Sequence, residues 1–131
     1  METSDIKELE LLKEVNEQTA LLIYEYNCIT GELTWFGNAE IPTGFTLQEL
    51  RKFDINMWLD RIHKDDLTMI HNQEKVYSGN KRPFTLYYRF LNKGGEYINL
   101  KDNGVAFSNN ELKEIREIGR IEIHYNNLIS E

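Results

Sequence analysis

Phe84, Leu86, Tyr88 and Phe90 alternate with Thr85, Tyr87 and Arg89 in the run RPFTLYYRFLN, residues 82–92. A strict period of two, with bulky apolar side chains on one phase, describes a strand with one buried and one wet face, the habit of antiparallel sheets. Two further β-rich runs follow, EYINLKDNGVAF (96–107) and IREIGRIEIHYN (115–126), set off by KGG and SNNELKE. Upstream, ALLIYEYN and ELTWFGN flank CITG, and a four-residue connection ending in Gly31 makes these two runs a hairpin. Residues 39–66 are irregular, with short helical pieces around TLQELRKF and NMWLDRI, and Thr46 with Glu49 matches a capping box. Asp66 to Gly79 reads as the longest internal helix. The order predicts an α+β domain, one antiparallel five-stranded sheet with its helices on one face.

An N-terminal amphipathic helix precedes this domain. In SDIKELELLKEVNEQT, residues 4–19, Ser4 or Asp5 can cap the helix, and Ile6, Leu9, Leu12 and Val15 form one stripe flanked by Leu11. Such a stripe packs either on its own domain or on a second copy. Two turns of heptad do not separate these readings, because a coiled-coil assignment needs about three or four heptads. The predicted division is therefore a helix over 1–19, a domain over 20–126 and an exit linker over 127–131.

Composition narrows the function. The chain carries 15 basic and 22 acidic residues, and the imbalance sits in residues 1–66, which hold 6 basic and 14 acidic residues. An acidic chain without a basic stripe lacks the phosphate-neutralising footprint of a nucleic-acid binder. An anionic leaflet would repel it too, so neither nucleic acid nor direct membrane contact is expected. Cys28 is the single cysteine and cannot close an intramolecular disulfide. The start METSDIKELE is acidic where a signal peptide is basic, and no apolar run approaches the roughly 20 residues that span a bilayer. A cytoplasmic location is expected; if the parent protein is membrane-anchored, its spanning segments lie outside these residues.

The stretch WLDRIHKDDLTMIH, residues 58–71, holds two histidines and three aspartates and invites a metal or acid/base reading. Helical metal ligands converge at i, i+3 or i, i+4, yet the residues at those offsets before His71 are Thr68 and Leu67. Asp65 and Asp66 stand where an N-cap and a first-turn carboxylate belong. On the helical wheel Leu67, Met69, Ile70, Val76 and Tyr77 share one arc, with His71 towards its edge. Haem iron asks for a single axial histidine, and His71 is the residue that could supply it; its place at the edge of the arc weighs against that. Pairing of His63 with Asp66 is the remaining acid/base option. Gly94-Gly95 joins two strands rather than opening a helix, so it is no phosphate loop. No metal site and no catalytic residues are assigned.

The order of elements together with three motifs resembles a PAS domain over about residues 20–126. YEYNCITGELTWFGNAEIPTGF resembles the opening hairpin of the bacterial sensor branch. WLDRIHKDD resembles its Trp…Ile-His-Pro-Asp-Asp element, with Lys64 in the proline position. FTLYYRFLNKGGEY resembles the PAC-like strand pair, with Arg89 and Gly95 in place, Gly94 for the usual aspartate and Asn99 where tryptophan is common. GRIEIHYN is similar to the last strand. The resemblance implies a non-enzymatic sensor module of a histidine kinase, a diguanylate cyclase or a similar regulator. It implies a pocket between the inner sheet face and the helices, an output domain elsewhere in the parent protein, and homodimerisation through the N-terminal helix. Flavin photochemistry is not supported, because Asn27-Cys28 is followed by Ile29 and lies in the hairpin. On the alternation, Trp35, Phe84, Leu86 and Tyr88 face inward, opposite Ile70 and Tyr77 from the helix. These six residues are the predicted ligand pocket, or equally a plain core. The competing functions are a ligand-free structural dimerisation module and a small enzyme on an α+β cone.

Overall fold

The computed structural model describes residues 10–11, 21–74, 81–109 and 114–125. Five strands form one antiparallel sheet: β1 (Leu22–Asn27), β2 (Leu33–Gly37), β3 (Lys81–Leu91), β4 (Tyr97–Asn109) and β5 (Glu114–Ile123), in the order β2-β1-β5-β4-β3. The hairpin between β1 and β2 turns where Asn27 lends its side-chain oxygen to the backbone N–H groups of Ile29 and Thr30 at 2.9 and 3.1 Å. Gly31 closes that turn at φ 79°, a backbone region that side chains disfavour.

Four helices follow β2: α1 (Glu40–Thr43), α2 (Leu47–Leu50), α3 (Ile55–Asp60) and α4 (Lys64–Glu74). The capping box at α2 is formed as expected. The Thr46 hydroxyl accepts from the Glu49 N–H at 3.1 Å, and the Glu49 carboxylate accepts from the Thr46 N–H at 2.9 Å. Asp54 caps α3 by accepting from the Met57 N–H at 2.8 Å.

The inner sheet face carries Leu22 and Tyr24 of β1, Trp35 of β2, Phe84, Leu86, Tyr88 and Phe90 of β3, Leu100, Asp102 and Ala106 of β4 and Ile121 of β5, all buried. Leu50, Trp58, Ile62 and Ile70 cover them from the helical side. Trp58 stacks on Phe90 with ring centroids 4.2 Å apart. The α+β reading and the inward phase of β3 therefore hold. Of residues 1–19 only 10 and 11 are described, so the expectations that rest on Ile6, Leu9, Leu12 and Val15 lie outside the described residues.

β3 is a sheet edge, and the segment between α3 and α4 covers part of it. Ile62 forms a bridge to Phe90, the His63 N–H donates to the Arg89 carbonyl at 2.8 Å, and the Leu91 N–H donates to the Arg61 carbonyl at 2.7 Å. The Arg61 side chain adds bonds to the carbonyls of Leu91 and Asn92. Open edges invite foreign strands, and this one is part-paired from within the chain.

The start of α4 departs from the sequence reading in three ways. The helix begins at Lys64, not Asp66, and the acceptor at its first turn is the imidazole Nδ1 of His63, 3.1 Å from the Asp65 N–H. Asp66 does not cap. Its carboxylate turns to β3, where it accepts from the Arg89 backbone N–H at 2.8 Å and from the guanidinium at 2.9 and 3.0 Å. A guanidinium fork outcompetes the helix N–H groups because bidentate, charge-assisted bonds are the stronger kind. Met69 is exposed rather than buried, since α4 meets the sheet through Ile70 with Leu67 beside it, and Met69 sits about 100° around the helix from Ile70.

Those hydrogen bonds to Arg89 hold the Asp66 carboxyl below the usual aspartate range. A depressed folded-state pKa contributes stability that is present above the unfolded value of about 3.9 and is lost as pH falls through the folded one. Asp66→Asn is expected to cost about 1–3 kcal/mol at neutral pH. Urea unfolding of both proteins should show that gap closing in acid, and a gap that persists there would contradict the assignment.

Candidate functional site

Asp102 is the feature that an apolar sheet face does not explain. It lies on the inward phase of β4 between Leu100 and Gly104, and only 7% of it is exposed. Two tyrosines from other strands hold its carboxyl group: Tyr24 of β1 donates to Oδ1 at 2.8 Å and Tyr88 of β3 donates to Oδ2 at 2.9 Å. Tyr88 stands on the neighbouring strand, two pairs along from Leu86, the residue opposite Asp102. Tyr24 comes from farther away, because β5 runs between β1 and β4.

Glycine makes that reach possible. Tyr24 pairs with Gly119 of β5, which in turn pairs with Gly104 of β4. A methyl group on Gly119 would lie 2.7 Å from the Tyr24 hydroxyl oxygen and 2.8 Å from its ring carbons. The missing side chain is the space through which the phenol crosses to Asp102. Here glycine serves close approach rather than an unusual backbone angle.

A cavity of about 60 Å³ opens beside this cluster, between the inner sheet face and α3 and α4. Tyr24, Tyr26, Trp35, Trp58 and Tyr88 supply aromatic walls, Ile70, Leu86 and Ile121 are among the aliphatic ones, and Asp102 and Glu117 bring carboxyl groups. Trp35 lies 5.9 Å from Tyr24 and 5.0 Å from Trp58, centroid to centroid, with tilted planes. The Trp35 indole N–H is buried and meets no hydrogen-bond acceptor among the described residues.

Burial pushes the Asp102 carboxyl up to about 7; the two tyrosine bonds oppose that rise, and the charge of Glu117 adds to it. Desolvation is the largest cause because the carboxylate gives up bulk water for two phenol donors. Burial and the neighbouring acid raise both phenols well above their ordinary range, so each stays a donor at any physiological pH.

Of the six residues predicted to line a pocket, Trp35, Ile70, Leu86 and Tyr88 meet around this cavity. Phe84 is buried in the core but lies away from the cavity walls, at the β3 position paired with Gly104. Tyr77 lies outside the described residues. Sequence reasoning missed Tyr24, Asp102, Glu117 and Gly119. A signal for one of them was present: Asp102 shares the parity of Leu100 and Ala106, which makes it an inward-facing acid in a β-run. Among the described residues no group of three His, Cys, Asp or Glu side chains is placed to hold a metal ion.

Two substitutions test the cluster. Gly119→Ala should displace Tyr24 and destabilise the fold by about 1–3 kcal/mol, with loss of the near-ultraviolet tyrosine signal in circular dichroism. Asp102 has a raised folded-state pKa, so its contribution falls as pH rises from about 4, where the unfolded chain ionises, towards 7. Asp102→Asn should abolish that decline and leave the variant at least as stable as the parent above neutrality. A pH–stability profile shared by the two proteins would refute the buried-acid assignment.

Comparison with known proteins places this geometry. A family model described as PAS fold matches residues 32–121. No curated protein sequence matches. Among solved structures, a sensory box histidine kinase/response regulator from Burkholderia thailandensis superposes with TM-score 0.64 at 19% identity, covering 88% of this chain and 82% of its own. The N-terminal domain of a diguanylate cyclase with PAS/PAC sensor from Marinobacter aquaeolei gives TM-score 0.62 at 17% identity, over 79% of this chain and 94% of that one. The PAS-B domain of Drosophila melanogaster Cycle with bound ethylene glycol gives 0.61 at 22% identity, over 79% and 99%. At these identities the three structures speak for the fold, whereas the family match covers more than half of the sequence: the chain belongs to the PAS-fold family.

Proposed function

We propose that this domain is the sensory module of a larger signal-transduction protein and that its signal is a small molecule held in the cavity beside Asp102. The observation that carries the reading is the cavity itself. A core meant only for stability fills its space with apolar side chains. This one leaves about 60 Å³ open against a buried carboxyl group and the two phenols bonded to it. At roughly 10–15 Å³ for each water-sized group, that space suits a ligand of about four or five heavy atoms. The Cycle PAS-B structure holds ethylene glycol, a molecule of that size class.

Transmission would run through the strands that touch both the cavity and the rest of the parent protein. β5 contributes Glu117 and Ile121 to the cavity walls and is the last strand of the sheet. A ligand that prefers one packing of α3 and α4 on the sheet shifts the population towards it, by no more than its difference in affinity between the two packings. The output domain would be a kinase, a cyclase or a similar regulator, as in the bacterial neighbours. In this reading the module is non-enzymatic and cytoplasmic, and two copies pair through the stripe of Ile6, Leu9, Leu12 and Val15. Among the described residues no helix is long and apolar enough to cross a membrane.

The chain has 2 tryptophans, and both line the cavity. Intrinsic fluorescence therefore reports on the site directly. Small diols and amines are expected to shift the emission saturably, and Leu86→Phe, which fills the space, should abolish the response while the protein remains folded. A response unchanged by Leu86→Phe would place binding elsewhere and sink the reading.

A further inference from the structure

Among the described residues the lining of the cavity has one sign of charge: Asp102 and Glu117 face it, no lysine, arginine or histidine does, and five of its walls are aromatic rings. Aromatic faces carry negative electrostatic potential and attract cations, most strongly where water is excluded. Carboxylates reinforce that field at short range. From these walls we infer that the ligand class is a small organic ammonium ion.

The inference rests on the proposal that the cavity binds a small molecule, and it deepens that proposal by fixing the charge. Size agrees with it, since ethanolammonium has four heavy atoms and the cavity of about 60 Å³ has room for roughly that number. The groups that set the field around Asp102 are Tyr24 of β1, Tyr88 of β3 and Glu117 of β5. Cys28, from the hairpin, places its Sγ 3.7 Å from Glu117 Oε2. Protonation of Asp102 removes one of the two attractions, so ammonium binding should tighten from mildly acidic to mildly alkaline pH. Binding of a neutral diol should not follow that trend.

Titration of the full chain with ethanolammonium, ethylammonium and ethylene glycol, at matched ionic strength and about pH 8 where alkyl ammonium ions remain charged, separates the outcomes. Tryptophan emission and amide chemical shifts are the readouts. Both ammonium ions are expected to bind at least about tenfold tighter than ethylene glycol, consistent with one desolvated charge. Glu117→Gln, at a half-buried position outside the Tyr24–Asp102–Tyr88 cluster, should narrow the gap between ammonium and diol. Equal affinity for ethanolammonium and ethylene glycol would overturn the charge assignment while leaving the cavity proposal standing. If none of the three perturbs either readout, the cavity proposal fails and this inference fails with it.

Discussion

The bond from Tyr24 to Asp102 organises this molecule. It links the two halves of a sheet whose order separates hairpin β1–β2 from β3–β4 by one strand. With the second bond from Tyr88, a single carboxyl group gathers side chains from β1, β3 and β4. The polar cost of burying it is met by two short hydrogen bonds, and the remaining cost appears as the raised pKa. The crossing depends on a missing side chain, since Gly119 supplies the gap over which the Tyr24 ring lies. Removing any one of the three groups leaves a polar atom buried without its partner, so the cluster stands or falls as a unit.

A second tie, between Asp66 and Arg89, does different work. It lies half-exposed at the rim and sets where α4 leaves the sheet edge. The guanidinium fork fixes orientation as well as distance. Together with the backbone bonds of residues 61–63 to β3, it holds α3 and α4 over the cavity. The histidine-and-aspartate cluster that first suggests a metal site is therefore a joint. His63 caps the helix, Asp66 binds the strand, and Asp65 stays at the surface.

What the sequence revealed follows from the range of each interaction. Strands with strict alternation, the capping box at Thr46 and Glu49 and the hairpin at Gly31 are local, and local patterns are written in consecutive residues. The inward phase of Trp35, Leu86 and Tyr88 was legible for the same reason. Gly119 was not, because its role depends on lying opposite Tyr24, ninety-five positions earlier in the chain. Asp102 falls between these cases. Its phase is readable from Leu100 and Ala106, but its partners Tyr24 and Tyr88 stand on other strands, and no local pattern pairs them with it. Whether aromatic residues fill a core or leave space also escapes a linear reading, since it depends on how rings from four elements tilt against one another.

The cavity and the buried acid occupy one place, and that coincidence bears on function. An empty space of about 60 Å³ forgoes roughly 1–2 kcal/mol of packing at the cost per volume seen in engineered cavities. A carboxyl group whose pKa rises to about 7 forgoes more whenever the chain folds with it ionised. Either defect alone could be removed by one apolar substitution. Natural chains keep local conflicts of this kind where a site requires them and compensate elsewhere. Here the compensation is visible in the capped helices, the part-covered edge of β3 and the Asp66–Arg89 fork. A ligand that filled the space and neutralised the carboxylate would relieve both defects at once. Its binding would then be coupled to the packing of α3 and α4 through the residues that now border the gap.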